Sequence, residues 1–395
     1  MSDKSKDKKS YGKDTQFVLS GRSPSDNHGF VNPPVVHGST VVFEKTEDLY
    51  LQKAKYYYGR RSSPTIDALT QAVAELEGAH GTVLTPSGLS ACTLALLSVV
   101  KTGEHVLITD TAYEPTRHFA DTILIPMGVE VEYYDPLLGS EIAKLFKDNT
   151  VAVYTESPGS ETFEIQDIPA IVEAAHAKDI AVVLDNTWGT QLFFDAFAHG
   201  VDISVTAGTK YIVGHSDAML GTVSANEKHW SRLLDVHGAL GYHVGPDDIY
   251  LALRGLRTMP MRLRQHEQNA LEIARWLEAR PEVDRVLHPG LASHPGHALW
   301  KRDFTGSCGL FGLVLKDSTV SQARAMIDAL DLFGFGFSWG GFESLVTHPA
   351  PKKHRTATNW QETNQLLRLH VGLEDIEDLK ADLEQGFAAF KAAAR

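Results

Sequence analysis

The chain has 395 residues, of which 43% are hydrophobic and 22% charged; these are ordinary globular proportions on a chain too long for one core, so two domains are expected. A formal net charge of −13 argues against nucleic acid or an anionic membrane as the main partner. No apolar run reaches the length of a membrane span, and the two cysteines, Cys92 and Cys308, are too few and too far apart for a disulfide framework or a structural zinc site and read as small core residues.

In chain order, "MSDKSKDKKSYGKD" at 1–14 is polar and lysine-rich with no apolar segment behind it. It reads as a solvated tail and not as a signal peptide, which makes a cytoplasmic location the expectation. The stretch "VNPPVVHGSTVVFEKTEDLYLQKAKYYYGRRSSPT" is irregular and reads as an extended arm. A helix is expected from Ser63-Pro64, with Ile66, Leu69, Val73 and Leu76 on one face and Gly78 as its stop. The short apolar piece "GTVLT" then meets "PSGLSACTLALLSVV", a loop that turns into an apolar helix.

Strands follow at "EHVLITD", "VEVEYYD", "TVAVYTE", "IAVVLDN", "VDISVTAG" and "GTVSA", with "IPAIVEAAHAKD" as a helix among them. Strands that are apolar throughout and alternate with helices predict a mostly parallel sheet covered on both faces. Around "RGLRTMPMRLRQHEQNALEIARWLEARPEV" a long amphipathic helix opens a smaller α/β domain. That domain contains "GLFGLVL" as a strand, "SQARAMIDAL" as a helix and "LEDIEDLKADLEQGFAAFKAAA" as the closing helix. The expected division is therefore an N-terminal tail and arm at 1–60, a large domain at 61–257 and a smaller one at 258–395. The basic stretch "RLRQH" at 262–266 reads as a solvated helix face.

Candidate chemistry gathers at strand ends, where open α/β sheets bind ligands. Lys210, in "TAGTKYIVGHSDAMLG", follows the strand "VDISV", and a partly desolvated lysine there has an amine free to attack a carbonyl. Pyridoxal phosphate needs an acid to keep its ring nitrogen protonated, and Asp185 ends the strand "IAVVLD"; a turn or N-cap aspartate is the alternative. Phosphate favours the backbone N–H groups of a helix start, which "TPSGLS" at 85–90 supplies. Tyr113 in "TAYEPT" offers a ring to stack on the cofactor. Arg368 lies on the otherwise apolar strand "LLRLHVGLED", where a guanidinium suits a substrate carboxylate. His288, His294 and His297 lie in a Gly- and Pro-rich loop without cysteine or paired carboxylates, so no metal site is expected. Neither a dinucleotide fingerprint nor a Walker lysine motif follows any strand.

Together "YYYGRR", "TPSGLS", "TAYEPT", "ESPGS", "LDNTWG", "GTKYIVGHSDAMLG", "RGLRT", "FSWGGFESL" and "LRLHVGLED" resemble the Cys/Met-metabolism family of fold-type I pyridoxal-phosphate enzymes, from about "VNPPVV" to the C-terminus. The resemblance implies the fold-type I transferase-like architecture and pyridoxal 5'-phosphate as cofactor. It makes Lys210 the lysine that holds the cofactor and the base, Asp185 the acid at the ring nitrogen and Tyr113 the stacking and catalytic tyrosine. Gly88, Leu89 and Thr209 become phosphate contacts, with Tyr58 and Arg60 the phosphate pair from a neighbouring subunit of a homotetramer with shared sites. Ser338 and Arg368 hold the substrate carboxylate, and Trp339 lies beside the substrate. Ala207 stands where many members have serine. "SPGSE" in place of "SPTNP", and Trp339 in place of leucine, resemble the β-lyase branch. The implied reaction is β-elimination of the small-molecule amino acid L-cystathionine to homocysteine, pyruvate and ammonia. The alternatives are a γ-lyase, a cysteine desulfhydrase, cystathionine γ-synthase or a non-catalytic protein that binds the cofactor.

Overall fold

The protein is described here as a computed structural model covering residues 11–394. Most of the expected N-terminal tail, residues 1–10, lies outside the described residues. Lys13 and Asp14, also assigned to that tail, instead begin a helix, Lys13–Leu19. Its Phe17 is buried in the core, and the Arg257 guanidinium donates to the carbonyls of Phe17 (2.8 Å) and Ser20 (2.7 Å). This segment docks because it has an aromatic anchor and a buried cation to receive its carbonyls.

Seven strands form the larger sheet: β1 Gly81–Thr85, β2 His105–Thr109, β3 Glu130–Tyr134, β4 Thr150–Glu156, β5 Ala181–Asp185, β6 Ile203–Thr206 and β7 Gly221–Ala225. Their order is β1-β7-β6-β5-β4-β2-β3. The pairs from β3 to β6 are parallel, and β7 is antiparallel to both β6 and β1. Two reversals return β1 to the direction of β6, so β1, β2, β4, β5 and β6 all end on one edge. The sheet is buried on both faces. Along β5, Val182 and Leu184 join one hydrophobic cluster, and Ala181 and Val183 join the other. This is why these strands read as continuous apolar runs and not as alternating ones.

The second sheet has the order β10-β11-β12-β9-β8, from β8 Val283–Leu287, β9 Leu310–Leu315, β10 Gly334–Phe335, β11 Leu345–Thr347 and β12 Leu366–His370. One helix of 33 residues, Pro246–Glu278, runs from the first sheet to the second, so position 257/258 falls inside continuous helix. The stretch 262–266 is a solvated face only in part: Arg264 and Gln265 are exposed, but Arg262 and His266 are buried, and Arg262 Nη2 donates to the carbonyls of Tyr211 and Gly255, each at 2.8 Å. The arginine braces the turn that follows Lys210. Among the described residues no helix is long and apolar enough to cross a membrane.

Candidate active site

At the shared strand-end edge, against β12 and the 337–339 turn, lies a cleft of about 700 Å³ lined by residues of both sheets. Lys210 enters it just beyond β6. The chain turns there with Lys210 N–H donating to Ala207 O at 3.0 Å and Gly214 N–H to Lys210 O at 2.7 Å. The amine hydrogen-bonds Ser338 Oγ at 2.5 Å and lies 5.4 Å from the Trp339 ring centroid. Burial lowers its pKa to about 8; the Arg368 guanidinium adds to the fall and the Asp185 carboxylate opposes it. A neutral amine is thus accessible near physiological pH.

Asp185 ends β5 and Glu156 ends β4, and the two are register partners. Asp185 Oδ1 accepts from Thr187 N (3.0 Å) and Thr187 Oγ1 (2.5 Å), whereas Oδ2 has only the weak Cys92 thiol donor at 3.5 Å. Burial raises both carboxyl pKa values and each carboxylate disfavours the other, but Glu156 is pushed well above the ordinary range. Asp185 has its charge stabilised by the Thr187 N–H and hydroxyl, so the one negative charge rests there and the proton on Glu156. Glu156 Oε2 also accepts the Tyr113 backbone N–H at 2.7 Å, which fixes where that aromatic ring leaves the chain.

Tyr113 caps the Glu114–Phe119 helix. Burial, then Cys92 and Glu156, hold its phenol above the usual range against the pull of Arg368, so it is a neutral hydrogen-bond donor at pH 7. The helix Gly88–Val99 begins beside Lys210, capped by Ser87 Oγ accepting from Ser90 N. The first-turn N–H groups of Gly88 and Leu89 have no intrahelical partner. A Cβ on Gly88 would stand 2.5 Å from the Ala207 Cβ, so only glycine lets the helix start meet the β6 turn. Thr209 closes that turn, exchanging hydrogen bonds with Leu220. Arg368 faces the cleft from β12. Among the described residues it has no hydrogen-bond or salt-bridge partner, a free fork aimed where a carboxylate can be received. Trp339 lines the cleft and also packs on Tyr211, with centroids 5.5 Å apart.

The cleft therefore gathers Gly88, Leu89, Tyr113, Asp185, Thr209, Lys210, Ser338, Trp339 and Arg368. Tyr58 and Arg60 do not line it. Tyr58 is 47% exposed and bridges to Thr40, and Arg60 Nη1 donates to Gly238 O at 3.4 Å. Sequence reasoning missed Glu156, Thr187 and Cys92. For Glu156 and Thr187 a signal existed: each adjoins a strand-end motif, "TVAVYTE" or "LDNTWG". Cys92 gave none, being one more small residue in an apolar helix.

These residues fit pyridoxal phosphate. The Gly88 helix start suits a phosphate, Asp185 Oδ2 is free for a ring N–H, and Lys210 is the amine with the lowered pKa. Residues 14–388 match the family described as Cys/Met metabolism PLP-dependent enzyme. The chain belongs to that family. It is a PLP-dependent enzyme with the mixed α/β architecture the motifs predicted. A Rhizobium johnstonii protein is 52% identical over 99% of this chain and 100% of its own. The Escherichia coli protein named cystathionine beta-lyase MetC is 43% identical, covering 95% of this chain and 98% of its own. The crystal structure of metB from Corynebacterium glutamicum superposes with a TM-score of 0.90 at 33% identity, over 96% of this chain and 98% of that one.

Proposed function

We propose that the chain is a carbon–sulfur lyase that catalyses β-elimination of L-cystathionine, consuming water and releasing homocysteine, pyruvate and ammonia. The observation that supports it most is the placement of a low-pKa lysine, Lys210, between a buried acid and a free arginine on opposite walls of one cleft. The name of the Escherichia coli relative agrees with this reading.

The cofactor, when bound, supplies an electron sink for the pair left on Cα. Lys210 would hold the cofactor through its amine. That amine, neutral because burial and Arg368 keep its proton affinity low, would serve as the base for the Cα proton. Arg368 and Ser338 orient the substrate carboxylate, which presents the Cα–H towards Nζ. Asp185 keeps its charge for the ring nitrogen because the proton of the carboxyl pair rests on Glu156. Tyr113, which lines the cleft, would stack on the cofactor ring. The departing sulfur can recover the proton that Lys210 has taken.

Tyr58 and Arg60 serve the phosphate of a neighbouring subunit, and the active unit is a cytoplasmic homotetramer. The support is that both residues sit in the arm away from their own chain's cleft. In this reading the chain divides into an N-terminal tail and arm at 1–60, a PLP-binding domain at 61–257 and a smaller domain at 258–395, the last boundary lying within the Pro246–Glu278 helix. The deciding experiment is product analysis of purified protein on L-cystathionine. Pyruvate with homocysteine is expected; 2-oxobutyrate with cysteine means γ-elimination and overturns the reading.

A further inference from the structure

The turn that brings Ser338 and Trp339 over Lys210 is conformationally expensive. Ser338 has φ +87° and Gly340 φ +89°, and a non-glycine residue at positive φ is unstable unless its surroundings hold it. The approach is also close: a Cβ on Gly340 would meet Lys210 Cα and Cβ at 2.9 Å. Beneath the turn lies His370, fully buried at the end of β12. Side chains alternate along a strand. Leu367 and Leu369 fill the core behind the second sheet, so Arg368 and His370 share the other face. His370 Nε2 meets the backbone of the turn twice, 3.1 Å from the Gly340 N–H and 3.2 Å from Gly341 O.

The chemical state of the ring is set by its surroundings. Burial pushes the His370 pKa well below the usual range; His266, Arg368 and Lys210 act in the same direction and the Gly341 carbonyl opposes them, so the imidazole is neutral. In one tautomer Nε2 accepts from the Gly340 N–H and in the other it donates to Gly341 O, so in either its bond is to the turn. Nδ1 has no partner, and neither does Nε2 of His266, whose ring lies 5.1 Å away and whose Nδ1 bonds Val371 O at 2.9 Å. Two neutral rings thus form the floor under the Trp339 turn.

We propose that His370 is a positioning residue that pins the Ser338–Trp339–Gly340 turn through the contacts of its Nε2 with the Gly340 N–H and the Gly341 carbonyl, and thereby sets how the distal chain of the substrate is seated before elimination. It touches neither substrate nor reacting atoms; its effect passes through Trp339 and Ser338. The inference rests on the β-elimination reading for its substrate, but the hydrogen bond itself can be measured without one.

The test uses the holoenzyme with His370→Phe, which keeps a ring but no hydrogen-bonding nitrogen, and His370→Gln, which restores both an acceptor and a donor. Hydrogen exchange at the Gly340 amide should accelerate at least about tenfold in His370→Phe and return towards wild type in His370→Gln. KM for L-cystathionine should rise about fivefold, the value of one hydrogen bond, with a smaller change in kcat. In a Trp339→Ala background His370→Phe should add nothing further to KM. Unchanged Gly340 protection in His370→Phe, or fully additive KM changes in the double variant, overturns the proposal. Should His370→Phe not fold, His370→Leu takes its place with the same outcomes. Failure of wild type to release pyruvate would instead overturn the β-elimination reading and leave the exchange measurement to judge His370.

Discussion

The lowered pKa of Lys210 can be measured in cofactor-free protein, away from turnover. Burial takes the amine from 10.5 to about 8. At pH 7 a pKa of about 8 leaves roughly a tenth of the amine neutral, against roughly one part in three thousand for an ordinary lysine, an advantage of about 300-fold in the nucleophilic form. The assay is the rate at which cofactor-depleted protein captures added pyridoxal phosphate, followed by its visible absorption. That rate should climb about tenfold per pH unit up to about pH 8 and level off above it. Its neighbours set the midpoint with known sign. Arg368 lowers the pKa and Asp185 raises it, so Arg368→Leu should move the midpoint up and Asp185→Asn should move it down. Stability follows the same linkage. Because the folded pKa lies below the unfolded one, the charged amine costs stability below about pH 8, and the cost is relieved as pH rises towards 10.5. Cofactor-free Lys210→Met should therefore melt higher than wild type at pH 7 and equal to it near pH 11. A capture rate still climbing tenfold per unit at pH 10, or a midpoint that neither neighbour moves, refutes the reasoning.

Other outcomes are equally specific. Glu77 is buried with Oε2 unpartnered while Gln191 and Ser204 donate to Oε1, and burial raises its pKa from 4.5 to about 7. Its folded-state proton gives stability that is whole below about pH 4.5 and lost by about pH 7, so thermal melts should show Glu77→Gln gaining on wild type across that window by roughly 3 kcal/mol. Mixing inactive Arg60→Ala and Lys210→Ala proteins should restore part of the activity once subunits exchange, since hybrids can contain an intact site; a fully active monomer in sedimentation would sink the shared-site assembly. Trp339→Ala should raise KM for L-cystathionine about tenfold, near 1.4 kcal/mol of binding, with a smaller fall in kcat; an unchanged kcat/KM would make Trp339 a core residue only.

The fold was legible wherever burial imposed one pattern. β4 and β5 are apolar on both faces because both faces are covered, and that is visible in the residues themselves. Lys210 and Asp185 were legible because each interrupts such a run at its end. The failures share a physical cause. Arg262 and His266 were misread as solvated because charge along a helix looks the same whether water or a carbonyl receives it; here the receivers are Tyr211 O and Val371 O, 51 and 105 residues away. Lys13 and Asp14 were assigned to the tail because a short polar helix is stable only through docking, and the docking partner, Arg257, is remote in sequence.

The same limit separates Arg368 from His370, two residues apart on β12. Arg368 announces itself, since a guanidinium in an apolar strand is costly unless something charged arrives to meet it. His370 does not, because a buried neutral imidazole is an ordinary core residue in sequence. Its meaning comes only from which backbone it meets, the Gly340–Gly341 turn, at the point where that turn lies against Lys210. On the reading proposed above, one strand face presents a group for the substrate carboxylate and, one pleat further on, the anchor of the turn bearing Trp339. Any shift of β12 relative to β9 and β11, which pair with it at Arg368 and His370, would move both together, so substrate orientation and the seating of the distal chain are coupled through a single element.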